Sequence, residues 1–360
     1  MLQGHGGNIY QAAMIAGCAP SEILDMSSNI SPFPLPGEVM EELRERMGEL
    51  GLLPEVDSQS LVKLLADKHG LDENQILVGS GATEFIYSIP ERLRPSSALI
   101  LGPTYSDYAD ACQYSSIAER FLFSSKENGF APDMEKLKKL AGKVGLVFLC
   151  NPNNPTGALL AKEEVLDLLR FYPEVYFVVD ESYLPFVEGG ADLSLLSPAL
   201  PDNLIVLRSF SKIYAMPGLR LGWLAGSGKT AGVLKDKMQP WNVNRLAQIA
   251  GEILLRSPDN REQETAACMT VERKRFMEAL LPEGAASLTV YPGRANFLLI
   301  ELNGTVNAPE LCMEMLKKKI LIRDCSNFRG LSDRFIRVSL KSVESNRRCL
   351  EALKETLGLK

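Results

Sequence analysis

Apolar residues gather in short unbroken runs through the first two thirds of the chain, at Ile76–Val78, 98–101, 146–150, 175–180 and 204–208. Runs of this length, closed off by Gly, Asn, Asp or Ser, have the form of strands buried on both faces. Between them apolar positions recur at helical spacing over 81–94, 133–141 and 161–171. Strand and helix in alternation predict βαβ units on a mostly parallel sheet. Leu221–Ala225 is a further strand, and the amphipathic region from about 229 to 280 predicts long helices. Beyond it, strand-like runs at 288–291, 297–300, 320–322 and 335–340 mix with helical patterns at 308–319 and 343–357, which predicts a smaller α/β domain. Residues 1–35, rich in Gly, Ser and Pro, predict an irregular arm that must lie on another part of the protein. The pattern therefore divides the chain into an arm (1–35), a large domain (36–265) and a small C-terminal domain (266–360), with no internal repeat.

Composition narrows this picture. A chain of 360 residues with 46% hydrophobic content can bury one large core and a smaller one. A net charge of −6, without a basic run interleaved with aromatics, argues against nucleic acid as a partner. No apolar stretch reaches membrane-spanning length, and the N-terminus shows neither the basic region nor the apolar core of an export signal. The seven cysteines are scattered without a Cys-x-x-Cys pair, and the only histidines are His5 and His69. A cytoplasmic protein without a metal site is expected.

Candidate chemistry concentrates in four segments. In Ser209-Phe210-Ser211-Lys212, followed after a Pro-Gly turn by Arg220, one lysine stands among hydroxyls and near a second cation. A lysine that forms a Schiff base must be partly desolvated and close to other cationic or polar groups, so that it is neutral when it attacks a carbonyl. Two hydroxyls and a guanidinium suit a phosphate. The plainer alternative is a solvated lysine at a strand end. Gly79-Ser80-Gly81-Ala82-Thr83 forms a strand-to-helix turn whose free N–H groups suit an anion. Asn151-Pro152-Asn153-Asn154-Pro155 follows another buried run, and Asp180 closes a third, with Tyr183 one turn on. A carboxylate at the end of a parallel strand sits where open α/β sheets place their ligands.

Together these segments resemble the fold-type-I pyridoxal-phosphate enzymes, the aspartate aminotransferase superfamily, over most of the chain. The resemblance implies a large domain with a mostly parallel seven-stranded sheet, an antiparallel strand at Leu221–Ala225, a small α/β C-terminal domain, and pyridoxal 5'-phosphate as cofactor. It implies Lys212 as the Schiff-base lysine and Asp180 as partner of the pyridine nitrogen. Asn154 and Tyr183 would contact the ring hydroxyl, and Tyr105 would stack on the ring. Gly81, Ala82, Thr83, Ser209, Ser211 and Arg220 would form the phosphate cup, and Arg337 would bind a substrate α-carboxylate. A homodimer is implied, because the active site of this fold lies at a subunit boundary.

Finer likeness comes from His5-Gly6-Gly7-Asn8 and Ser27-Ser28-Asn29-Ile30-Ser31 in the arm, Trp241-Asn242-Val243-Asn244, Arg294-Ala295-Asn296-Phe297 and Ile320-Leu321-Ile322-Arg323. These resemble the L-threonine-O-3-phosphate decarboxylases of cobalamin biosynthesis, relatives of histidinol-phosphate aminotransferase. The resemblance implies a small phosphorylated amino acid as substrate, with His5, Asn29 and Arg323 on its phosphate. On their own, His5 reads as a terminal histidine, Asn29 as a turn residue, and both arginines as surface groups at strand ends. An aminotransferase acting on histidinol phosphate or another phosphorylated amine and a catalytically silent protein of the same fold remain open alternatives. One departure stands out. Relatives often carry a Tyr-Pro pair whose tyrosine reaches the neighbouring subunit's cofactor, whereas this chain has Leu53-Pro54. Gly226-Ser227-Gly228-Lys229-Thr230 is no P-loop, because Trp223 stands where that motif needs glycine.

Overall fold

The structure, a computed structural model, describes residues 5–257, 260–281 and 287–359. Residues 1–4 of the expected arm lie outside the described residues. The arm is less irregular than its composition suggests. Asn8 caps a helix, Ile9–Ala16, and a short strand follows, β1 (Leu24–Asp25). Gly and Pro sit at the ends of these elements, where they terminate structure without preventing it.

The large sheet takes strands β2 (Ile76–Gly79), β3 (Ala98–Gly102), β4 (Glu119–Phe123), β5 (Leu146–Cys150), β6 (Tyr176–Asp180), β7 (Leu204–Ser209) and β8 (Gly222–Gly226). Their spatial order is β2-β8-β7-β6-β5-β3-β4, parallel except for β8, which runs antiparallel to both its neighbours. Seven strands with one antiparallel member match the expectation. The central strands β3 and β5 are buried at every position, which is why they read as unbroken apolar runs. Strand β4 has no such run. It is a half-exposed edge strand, Glu-Arg-Phe-Leu-Phe, whose polar positions hide it from a search for buried segments.

Helices Ala82–Leu93, Met134–Ala141 and Lys162–Phe171 fall where the periodicity places them, and the 229–280 region resolves into Gly228–Lys235, Arg245–Arg256 and Arg261–Leu280. The Gly-Ser-Gly-Lys-Thr segment is a strand-to-helix loop in which Ser227 caps the first of these helices.

The remaining strands are β9 (Leu288–Tyr291), β10 (Phe297–Leu302), β11 (Ile320–Leu321), β12 (Arg323–Asp324) and β13 (Phe335–Ser339). Four of them form an antiparallel sheet in the order β12-β13-β10-β9. The expected single run at 320–322 divides, because β11 leaves that sheet to pair in parallel with β1 of the arm. Ala12, Ala13 and Ile23 of the arm pack with Leu316 and Leu321 in a small cluster of their own. The arm thus lies on the C-terminal part of the chain.

Candidate active site

All five strands β2, β3, β5, β6 and β7 end at one edge of the large sheet, and the C-terminal sheet and the arm close over it. A cavity of about 260 Å³ lies there. Every residue singled out in the sequence except Gly81 lines it, and Gly81 borders it through Arg220.

At one end lies an anion cradle. Gly81 has φ 82°, and a Cβ built on it would stand 2.5 Å from Arg220 Nη2. Glycine therefore lets the guanidinium approach the first turn of Ala82–Leu93. Ser80 N donates to Glu84 Oε2 at 2.6 Å, and Asn242 Nδ2 donates to Glu84 Oε1 at 3.0 Å, so this carboxylate is used up in holding the turn. Ser209 Oγ accepts from Ser211 N at 3.2 Å, whereas Ser211 Oγ is buried without a hydrogen-bond partner. An orphan hydroxyl, a guanidinium and a helix N-terminus at one place fit the phosphate of pyridoxal 5'-phosphate.

Beside the cradle, Asp180 ends β6 with its Oδ1 accepting from Ser182 N and its Oδ2 from Tyr108 Oη, each at 2.9 Å. Tyr183 Oη accepts from Asn29 Nδ2 at 3.2 Å, and burial pushes this phenol up to about 12. Lys212 is half-buried, and burial, reinforced by Arg337 and Arg220, brings its amine down to about 8. Its backbone carbonyl accepts from Ser31 N of the arm at 2.9 Å, and Lys341 Nζ donates to Ile30 O at 2.9 Å, so the arm is stitched to the lysine's own loop.

The opposite end is cationic. Arg323 and Arg337 are cross-strand partners of β12 and β13, which puts both on one face of the C-terminal sheet. Both are buried, at 7% and 4% exposure. Burial is the largest influence lowering both guanidiniums below their ordinary value. Arg323 donates to Asn327 Oδ1 at 2.7 Å, and Arg337 donates to Asn154 Oδ1 and to the Ser27 carbonyl. These acceptors are all neutral, and Arg337 Nε is buried without a partner.

His5 is not a loose terminal residue. Its Nε2 lies 3.2 Å from Asp107 Oδ1 and its ring 5.3 Å from Tyr105. Asn29 lines the same cavity as His5 and Arg323. Its amide bonds Tyr183 and accepts from Ser339 Oγ at 2.7 Å, which ties it to the Arg337 end, leaving one N–H uncommitted by these contacts. Sequence reasoning missed Tyr108, Asp107, Ser27 and Lys341. Tyr108 carried the one available signal, a second tyrosine three residues after Tyr105.

The family model for aminotransferase class I and II matches residues 21–353. The chain belongs to that family. Among its relatives, the threonine-phosphate decarboxylase of Salmonella typhimurium is 36% identical, across 98% of this chain and 96% of that protein. The adenosylcobalamin biosynthesis bifunctional protein CobDQ of Leptospira interrogans is 33% identical, across 98% of this chain and 41% of that longer protein. Among solved structures, the histidinol-phosphate aminotransferase of Clostridium acetobutylicum superposes with a TM-score of 0.84 at 30% identity, covering 92% of this chain and 98% of that one. As a class I and II aminotransferase relative, the chain is a pyridoxal-phosphate-dependent enzyme, and the cradle described above is where the cofactor's phosphate fits.

Proposed function

We propose that this enzyme decarboxylates L-threonine O-3-phosphate, giving CO2 and (R)-1-amino-2-propanol O-2-phosphate for cobalamin assembly. The observation that carries the reading is the cross-strand pair Arg323 and Arg337. Like charges directly opposite one another are unfavourable, and buried cations without an anionic partner are more so. A substrate with a phosphate and a carboxylate would relieve both. Similarity over nearly the full length to a threonine-phosphate decarboxylase supports the same conclusion.

In this reading Arg337 holds the carboxylate, while Arg323 and His5, with the remaining Asn29 N–H, hold the phosphate. When bound, pyridoxal phosphate supplies a carbonyl for the substrate amine and an electron sink for the bond that breaks. Ser209, Ser211, Arg220 and the turn Gly81–Thr83 grip its phosphate. Asp180 would hold the ring nitrogen, Asn154 and Tyr183 the ring hydroxyl, and Tyr105 would stack on the ring. Lys212 Nζ would hold the cofactor covalently and would carry the proton that replaces CO2 at the substrate's α-carbon. The enzyme acts as a cytoplasmic homodimer. Seven free cysteines suit a reducing compartment. An apolar groove of about 380 Å³ beside the Arg220 turn, with Met47 exposed in its lining, suits a second copy.

Incubation with threonine phosphate and no oxo acid tests this proposal. Many CO2 released per active site supports it. Conversion of the cofactor followed by arrest would favour an aminotransferase, the reading that similarity to the Clostridium enzyme supports.

A further inference from the structure

Tyr108 has no part in the chemistry just described, yet it is among the most buried large side chains, at 1% exposure. Its ring stacks on Phe148 with centroids 5.1 Å apart and meets Tyr105 edge-on at 5.8 Å. Its hydroxyl donates to Asp180 Oδ2 at 2.9 Å, while the Ser182 N–H occupies Oδ1 at the same distance. Burial raises this phenol well above its ordinary value, so it remains a neutral donor. A buried carboxylate with one donor on each oxygen is restrained to a single rotation.

We propose that Tyr108 is a positioning residue for Asp180, its hydroxyl fixing the rotation of the carboxylate that faces the cofactor's ring nitrogen. The inference rests on that reading of Asp180. Packing between β5 and the helix Asp107–Tyr114 is the competing role, and the two differ in one respect. Packing is indifferent to the charge at residue 180, whereas positioning acts only through it.

Tyr108→Phe keeps the ring and its stack on Phe148 and removes the donor alone. Apoproteins of the parent, Tyr108→Phe, Asp180→Asn and the double variant are titrated with pyridoxal phosphate, and the visible absorbance of each holoprotein is followed against pH. Tyr108→Phe should bind the cofactor about tenfold more weakly, in keeping with the loss of one hydrogen bond to a charged group. It should also move the midpoint of the absorbance titration. Neither change should appear when the substitution is added to Asp180→Asn. If Tyr108→Phe matches the parent while Asp180→Asn does not, the inference fails and the reading of Asp180 stands. If Asp180→Asn itself matches the parent, both fail. Equal effects in the two backgrounds would leave Tyr108 a packing role only. Should Tyr108→Phe not fold, Tyr108→Met removes the same donor and is read by the same criteria.

Discussion

Lys212 is withdrawn from water and its amine is lowered further by Arg337 and Arg220, against the opposing pull of Asp180 and Asp25, which helps to free it for attack on a carbonyl. Lys212→Ala should abolish the visible absorbance of the bound cofactor and leave turnover below detection. A borohydride-reducible linkage persisting at the parent's stoichiometry would move the covalent bond to another residue. Arg323 tests substrate choice. Hydrogen bonds to charged groups contribute roughly 1.5–3 kcal/mol, so Arg323→Ala should lower kcat/KM for threonine phosphate at least tenfold. Unphosphorylated threonine has nothing to offer that guanidinium and should lose far less. Equal losses for both substrates would make Arg323 a structural residue. The residues legible in advance were those whose type and spacing are set by the cofactor, such as Lys212, Asp180 and Ser211. Tyr108, Asp107 and Lys341 act on those residues from elsewhere in the chain, and a distance of 2.9 Å between Tyr108 and Asp180 leaves no local pattern across 72 positions.

At the scale of elements, buried strands were plain because both faces are covered, and β4 was lost because one edge is not. The arm shows the same limit. Its Gly, Ser and Pro content hid a helix and a strand whose partners, β11 and the helix Ala308–Lys317, lie nearly three hundred residues away. Its contacts fall in two sets, joined by a hydrogen bond from Gly7 N to Ser27 Oγ at 2.7 Å. Residues 24–31 are hydrogen-bonded to β11, β13 and Lys212, whereas His5 lines the cavity beside Asp107. Deleting the chain through Tyr10 removes His5 and the Gly7–Ser27 bond and leaves the bonds of residues 24–31 to β11, β13 and Lys212. The truncated protein should keep its cofactor absorbance and lose kcat/KM for threonine phosphate in the same direction as Arg323→Ala, with threonine little affected. Loss of the absorbance would show instead that the helix holds the cofactor end together.

For the whole molecule, burial of cations makes stability depend on pH. Lys212 and Lys341 are both lowered from 10.5 to about 8, burial being the main cause. Between those values the unfolded chain binds more protons than the folded one, so these groups make the cofactor-free protein more stable as pH rises from about 8 towards 10.5. Lys341→Met should flatten that rise in denaturant titrations of the apoprotein, and an unchanged slope would show that Lys341 is not held in its folded position.

The larger-scale question is assembly. Leu53 stands 74% exposed where relatives often place a tyrosine, and Met47, Leu50 and Leu52 are also more than half exposed. Isolated apolar residues on a surface need no explanation, but a contiguous set does. Of these, Met47 lines an apolar groove with Leu35, Met40 and Leu219, which also includes Pro217 and Gly218 of the turn that presents Arg220. Covering it with a second copy would therefore couple assembly to the phosphate cradle. Met40 and Met47 are exposed enough that glutamate at both should spare the fold. The parent should sediment at twice the 39.6 kDa chain mass. The double variant, Met40→Glu with Met47→Glu, should move towards the monomer and bind pyridoxal phosphate more weakly. A parent that sediments as a monomer would refute the homodimer. A double variant that stays dimeric with undiminished cofactor affinity would place the subunit contact on another face, and Leu53 would then be an exposed leucine with no partner to meet.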